Sequence, residues 1–371
     1  MENLNEQSFN ILNAKDSVKK ILTDKKTKHK PCLLRGASGI GKSDCVKQLW
    51  LDEEINGGLK PTTNSQPKKN EFALITLIGS QIEPQDLYLP RYDSETDTQK
   101  YAFTDRLPKD KDAKGILFLD EIGSASPTIQ KAFQQLVLAR EFNGYVLPKD
   151  FIIIGATNRQ ADNSGVGVQN SALMNRFQIF DVEMNHEIWN DWAMKNKVHP
   201  LVTAYFNYEP QNLHNFTKEK RNEQFCSPRS AVRLSDLVYQ EHNDELQLPL
   251  YSGCVGFDVA QDFIAFTKVV VNAPSIDEII ESPDTTEVIP QNDINVRFAV
   301  SGALLQKVNE NSSNKKKREK IFSSATKYLS RFENPEFSIF FVKHAIGLER
   351  DLLVTKTYTD FSLEHTDVDF E

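Results

Sequence analysis

The sequence lacks the residues that would mark several whole classes of protein. Four cysteines, Cys32, Cys45, Cys226 and Cys254, occur in 371 residues. No two of them form a C-x-x-C pair, which excludes a disulfide framework and a cysteine zinc cage and suits buried thiols in a reducing compartment. The seven histidines show no H-E-x-x-H or comparable spacing, so a metal site built from protein ligands alone is not expected. No run approaches about 18 uninterrupted apolar residues. The start, Met1-Glu2-Asn3-Leu4-Asn5, lacks the charged-then-apolar pattern of an export signal. A soluble, cytoplasmic chain with no membrane span is therefore expected. Positive charge is in deficit too: 44 Lys and Arg stand against 52 Asp and Glu, a net of −8. That balance weighs against a protein whose task is to coat nucleic acid or an anionic surface. Apolar residues make up 39%, with 23 Phe, enough for a sizeable core, and the length suggests two domains.

Patterning divides the chain. Phe9, Ile11, Leu12, Val18, Ile21 and Leu22 fall at helical intervals, and a lysine-rich connector from Lys25 to Lys30 follows. Short apolar runs at Cys32–Arg35, Phe72–Ile78, Gly115–Leu119, Phe151–Gly155 and Phe177–Val182 alternate with the helical patterns Ser43–Leu51 and Pro127–Leu138. Apolar runs separated by helices predict a parallel sheet covered on both faces. Asn56–Asn70 reads as a surface loop. Gln81–Lys114 is too polar for core and too long for an idle turn, so it is expected to be functional or to carry elements of its own. Asn143-Gly144 is a hairpin dipeptide. Beyond about residue 186 strand signals fade and helical patterns dominate: Ile188–Lys195, Ser230–His242, Phe257–Val271, Asp293–Lys307 and segments up to Leu348. Asn311–Arg318 reads as a polar break with a solvated helix start at its lysines, and the acidic last dozen residues as frayed. Trp50, Trp189 and Trp192 read as core or subunit-contact residues.

Three motifs carry chemistry. Gly36-Ala37-Ser38-Gly39-Ile40-Gly41-Lys42-Ser43 matches G-x-x-x-x-G-K-[ST] after a strand and before a helix. Its glycines let backbone N–H groups turn inward and the helix start adds positive potential, so phosphates fit there. Lys42 is placed to bridge β- and γ-oxygens, and the Ser43 hydroxyl to ligate Mg²⁺. Ile116-Leu117-Phe118-Leu119-Asp120-Glu121 ends a buried strand on two carboxylates, Asp120 for Mg²⁺ and Glu121 to polarise an attacking water. Ile152–Asn158 is a third strand, with Thr157 or Asn158 in reach of the γ-phosphate or that water.

With these motifs in order, and with Ser171–Phe177 and Ser227–Ala231 downstream, the chain resembles AAA+ ATPases over most of residues 25–350. Glu83–Leu87, Leu89-Pro90 and Tyr145–Pro148 resemble the MoxR-type branch. The resemblance implies a P-loop NTPase fold, a parallel α/β sheet sandwiched by helices and followed by an α-helical lid. It divides the chain into an N-terminal helical segment (1–30), a nucleotide-binding core (31–185), a helical lid (186–360) and an acidic tail (361–371). It implies ATP and Mg²⁺ as cofactors, Asn158 as the sensor that positions water with Glu121, Arg176 as an arginine finger reaching a neighbouring subunit, and Arg229 as a second sensor on the lid. Arg159 and Arg140 stand as substitutes for either arginine. Asn175, where the family more often has Asp, and Arg159 after the sensor depart from the family's pattern. The implied protein is an ATP-hydrolysing motor, a ring of six copies acting on a protein client with a von Willebrand factor A-like partner. A nucleotide-gated scaffold with little turnover and a nucleic-acid motor are the alternatives.

Overall fold

The computed structural model describes residues 9–159, 171–217, 223–240, 242–270, 273–366 and 368. The chain forms two compact units, Met1–Asn185 and His186–Glu371.

In the first unit the apolar runs become strands because each alternates its side chains between two buried faces. Eleven strands occur among its described residues: β1 (Phe9–Asn10), β2 (Cys32–Gly36), β3 (Lys60–Thr62), β4 (Glu71–Ile78), β5 (Tyr88–Asp93), β6 (Thr98–Phe103), β7 (Lys114–Asp120), β8 (Glu141–Phe142), β9 (Tyr145–Val146), β10 (Asp150–Thr157) and β11 (Gln178–Glu183). Seven make one parallel sheet in the order β1-β11-β2-β10-β7-β4-β3. Leu33, Leu117, Leu119 and Ile153 enter one apolar layer, while Leu34, Ile116, Phe118, Ile152 and Ile154 enter the other. This period of two on both faces is what a doubly covered sheet requires. Helices α1 (Ile11–Thr23) and α2 (Lys42–Leu51), followed by the short α3 (Glu53–Asn56), cover the second layer with Val18, Leu22, Val46 and Leu49. Helix α4 (Pro127–Ala139) covers the first with Ile129, Phe133 and Leu136, and a single turn, α5 (Ser171–Met174), precedes β11. The fold is a parallel α/β sheet sandwiched by helices, as expected.

Phe9 and Asn10 do not begin the first helix: they pair with Val182 and Glu183 as the sheet's edge strand, and the Asn10 side chain caps α1 by accepting the Asn13 N–H at 2.8 Å. The stretch read as a surface loop contains β3, the other edge, where Lys60 pairs with Glu71. The long polar stretch carries its own hairpin, β5–β6.

The second unit has ten helices and no strand among its described residues: α6 (His186–Lys195), α7 (Pro200–Tyr208), α8 (Pro228–Val238), α9 (Asp244–Val255), α10 (Phe257–Val270), α11 (Ile276–Glu281), α12 (Ile294–Glu310), α13 (Lys315–Leu329), α14 (Glu336–Leu348) and α15 (Lys356–Glu364). Its main core joins Val300, Leu304, Phe322, Tyr328 and Phe341. Helix α13 starts at Lys315, but Arg318 is not solvated. It is buried and ion-paired with Glu349 at 3.2 Å and with Asp351, because the helix turns that side inward. Nor is the chain's end frayed from residue 360: α15 runs to Glu364 and buries Phe361, while 367 and 369–371 lie outside the described residues. Cys32, Cys45 and Cys226 are buried and Cys254 half-buried, all as free thiols. No helix among the described residues is long and apolar enough to cross a membrane.

One helix start in this unit is sensitive to acid. His199 caps α7, its Nδ1 accepting the Leu201 N–H at 3.2 Å, and burial pushes its pKa down to about 4. Protonation would replace the accepting lone pair with a donor and set a cation at the positive end of the helix. The folded pKa lies below the unfolded value, so the contribution is fully present above about pH 6.5 and is lost as pH falls toward 4. Allowing for partial exposure, the loss is about 2 kcal/mol. Urea midpoints of wild type and His199→Asn, which keeps a cap acceptor, are expected to diverge over this window, with the variant less sensitive to acid.

Candidate phosphate-binding site

The site is assembled at the carboxyl ends of β2, β10 and β7, where open parallel sheets hold ligands. β2 ends at Gly36, and a Cβ there would lie 2.3 Å from the Val182 carbonyl oxygen and 2.8 Å from Ile40 Cδ1, so only glycine lets the loop leave the sheet. Gly41 has φ +97°, a left-handed conformation that favours glycine, and no side chain caps the start of α2. The first N–H groups of that helix therefore face outward as anion donors. Ile40 anchors the loop in the second apolar layer.

Lys42 is buried at 8% exposure, and its Nζ donates to the carbonyls of Gly36 (2.8 Å) and Ala37 (2.6 Å) and to Asn158 Oδ1 (2.9 Å). Ser43 Oγ donates to Asp120 Oδ2 at 2.9 Å, and the Glu121 N–H donates to Asp120 Oδ1 at 2.9 Å. Burial raises the Asp120 pKa, and the Ser43 hydrogen bond works against that shift. Asp120 and Ser43 together present hard oxygens suited to Mg²⁺, which is usually held by one or two carboxylates plus substrate phosphates. The strand order explains the meeting. β10 lies between β2 and β7, with Thr157 paired to Arg35 and Gly155 to Leu119, so Asn158 emerges between the loop and the two carboxylates.

Glu121 sits at φ +52°, a left-handed turn costly for a non-glycine residue, and its exposed carboxylate accepts a hydrogen bond from Ser80 Oγ. Ser80 was not expected as part of the site. It follows β4, and only the pairing of Ile78 with Asp120 brings it beside Glu121; the Gly79 N–H donates to the Asp120 carbonyl at 2.8 Å. Thr157 is excluded as a phosphate contact: it is 1% exposed and its Oγ1 accepts the Gly123 N–H at 3.2 Å.

The structure thus joins Lys42, Ser43, Asp120 and Asn158 directly, with Glu121 adjacent. The expected arginines are not joined to this cluster by any hydrogen bond among the described residues. Arg176 stands between α5 and β11 with its Nη1 donating to the Ala172 carbonyl and its Nε buried without a partner among the described residues. Arg229 is exposed at the start of α8 in the helical unit. Arg140 binds the carbonyls of Pro148 (2.7 Å) and Phe151 (2.8 Å), a structural task that removes it as a substitute finger. Arg159 leans on the Val182 carbonyl at 3.1 Å and on Glu183 at 3.4 Å.

Sheet order, glycine-rich loop and helix start together define an α/β fold of the phosphate-binding-loop class. The chain matches no protein-family model and no curated protein sequence. Similar solved structures include NtrX from Brucella abortus (15% identity, 94% of this chain and 68% of that chain, TM-score 0.38). A mutant of RuvB from Thermotoga maritima is also similar (13%, 80% and 83%, TM-score 0.39), as is a putative ATPase from Cytophaga hutchinsonii (10%, 96% and 89%, TM-score 0.30). At these values no residue role passes from them to this chain.

Proposed function

We propose that the chain is an ATP-hydrolysing motor of the AAA+ class, similar to the MoxR-type branch, that remodels or activates a protein client. The observation that carries the reading is the convergence of Lys42, the Ser43–Asp120 pair and Asn158 on one end of the sheet. In this reading residues Gly36 to Ser43 cradle the phosphate chain, and Lys42 exchanges its carbonyl partners for phosphate oxygens. Ser43 and Asp120 would hold Mg²⁺, which would supply positive charge to offset that developing on the phosphates. Glu121 takes the proton of the attacking water, and Asn158 fixes that water's position. Arg176 and Arg229 supply cations to the transferred group, Arg176 from a neighbouring copy in a ring, six copies in the MoxR-like arrangement. The β5–β6 hairpin exposes Leu89, Tyr92 and Tyr101 and is seated on the β8–β9 hairpin through Tyr88, Phe103, Phe142 and Tyr145. Its outer face is our candidate for contact with a client or a von Willebrand factor A-like partner. Steady-state phosphate release with Mg²⁺ and ATP, against a Lys42→Ala control, tests the reading; equal release from both proteins would end it.

One contact favours a second reading, a nucleotide-gated scaffold with little turnover: the Ser80 hydroxyl occupies the Glu121 carboxylate. Ser80→Ala is expected to raise phosphate release about tenfold or more, the worth of one hydrogen bond to a charged group. Unchanged release would mean that Ser80 does not restrain Glu121.

A further inference from the structure

The acidic balance of the chain is not shared between its units. Residues 1–185 carry 24 Lys and Arg against 24 Asp and Glu, whereas residues 186–371 carry 20 against 28. The whole-chain argument against a polyanionic partner therefore does not apply to the first unit.

Within that unit, cations collect at the amino ends of the strands, opposite the phosphate-binding loop. Lys30 precedes β2, Lys149 precedes β10, and Lys114 opens β7 behind Lys109 and Lys111. Lys68 and Lys69 precede β4, and Lys60 opens β3. These eight side chains sit on five successive strands and are all exposed. None makes an ion pair among the described residues. Four strand spacings give the row a length of roughly 19 Å.

The row is also held in shape. Gln66 Nε2 donates to the carbonyls of Asp105 (2.9 Å) and Leu107 (2.7 Å), and its Oε1 accepts the Lys109 N–H at 3.0 Å. Ser65 Oγ adds a bond to the Asp105 carbonyl at 2.6 Å. The loop bearing Lys68 and Lys69 is thus fastened to the loop bearing Lys109 and Lys111. Glu71, Asp105, Asp110, Asp112 and Asp150 stand in the same segments and are outnumbered by the eight lysines. Asp150 faces Lys28 at 3.8 Å, Glu71 accepts the Lys68 N–H at 2.9 Å, and Asp110 accepts the Asp112 N–H at 3.0 Å. Beside this row, burial first and then Arg140 and Lys28 hold His29 below its usual pKa, while Asp150 works the other way.

We infer that this face binds the phosphate backbone of nucleic acid without regard to sequence. Protein–protein contacts are poor in lysine and need aromatic or aliphatic anchors, whereas a fixed row of unpaired ammonium groups suits evenly spaced phosphates. The surface is separate from the phosphate-binding loop and does not depend on turnover there.

Fluorescence anisotropy of a labelled 30-base-pair duplex, titrated with the full chain at several salt concentrations, tests it. Dissociation constants on the order of 10⁻⁶ to 10⁻⁴ M are expected, weakening steeply with salt. The combined variant Lys68→Glu, Lys69→Glu, Lys109→Glu and Lys111→Glu should bind at least tenfold more weakly and shallow the log–log salt slope by about 3.6. Lys315→Glu, Lys316→Glu, Lys317→Glu and Lys320→Glu together impose the same net charge on α13 and should leave binding nearly intact. Circular dichroism on both variants reports folding. The inference is overturned by an absence of binding at low salt, by equal losses in the two variants, or by polyglutamate displacing the duplex at equal charge. The last result would assign the face to an acidic protein instead.

Discussion

Glu121→Gln is expected to lower phosphate release about 10²- to 10⁴-fold while nucleotide binding persists. A positioned general base contributes on that scale, and the amide keeps the shape of the side chain while removing its capacity to accept a proton. Lys42, Ser43 and Asp120 remain bonded as before, because none of their hydrogen bonds includes the Glu121 side chain. Binding of a fluorescent ATP analogue, read beside phosphate release, separates the two effects. Loss of binding together with turnover would place Glu121 in the support of the site, and undiminished turnover would remove it as the base. The Ser80 contact adds a condition. If Ser80 restrains Glu121, then Ser80→Ala on the Glu121→Gln background should have no effect, since nothing remains to release.

Arg176→Ala is expected to cost roughly 10³-fold or more in turnover, the range in which an arginine supplied to a γ-phosphoryl group acts. The structure gives this residue no bond to Lys42, Asp120 or Asn158 within its own chain, which suits a side chain acting on another copy. Mixing distinguishes that role. An inactive Lys42→Ala protein added to Arg176→Ala protein should restore activity, because each supplies the part the other lacks. No restoration, with assembly confirmed by sedimentation, would exclude action in trans. A turnover equal to wild type for Arg176→Ala alone would move the assignment to Arg159.

Legibility followed range in the chain. The loop from Gly36 to Ser43 was readable because one strand, one turn and one helix start specify it locally, and φ +97° at Gly41 is the conformation such spacing demands. The central strands were readable because both faces are buried, so their side chains form continuous apolar runs. The edge strands were not. β1 and β3 are only two and three residues long, too short to show a strand period, and they exist because β11 and β4 offer unpaired backbone groups. Arg318 is buried for a reason equally remote in sequence. Its neighbours Lys315, Lys316 and Lys317 are solvated, and nothing within that run announces the carboxylates of Glu349 and Asp351.

The four cysteines are free thiols, and no helix among the described residues is long and apolar enough to cross a membrane. By itself the sequence determined the phosphate-binding loop, the Asp120–Glu121 strand end and the parallel α/β class, because period-two burial and glycine spacing are local properties. Tertiary structure alone decided that β10 runs between β2 and β7, and hence that Asn158 meets Lys42. It alone set Ser80 against Glu121 and gathered lysines from five strand starts onto one face. Strand order and register arise from contacts between residues far apart in sequence, and those contacts leave no mark on any single segment of the chain.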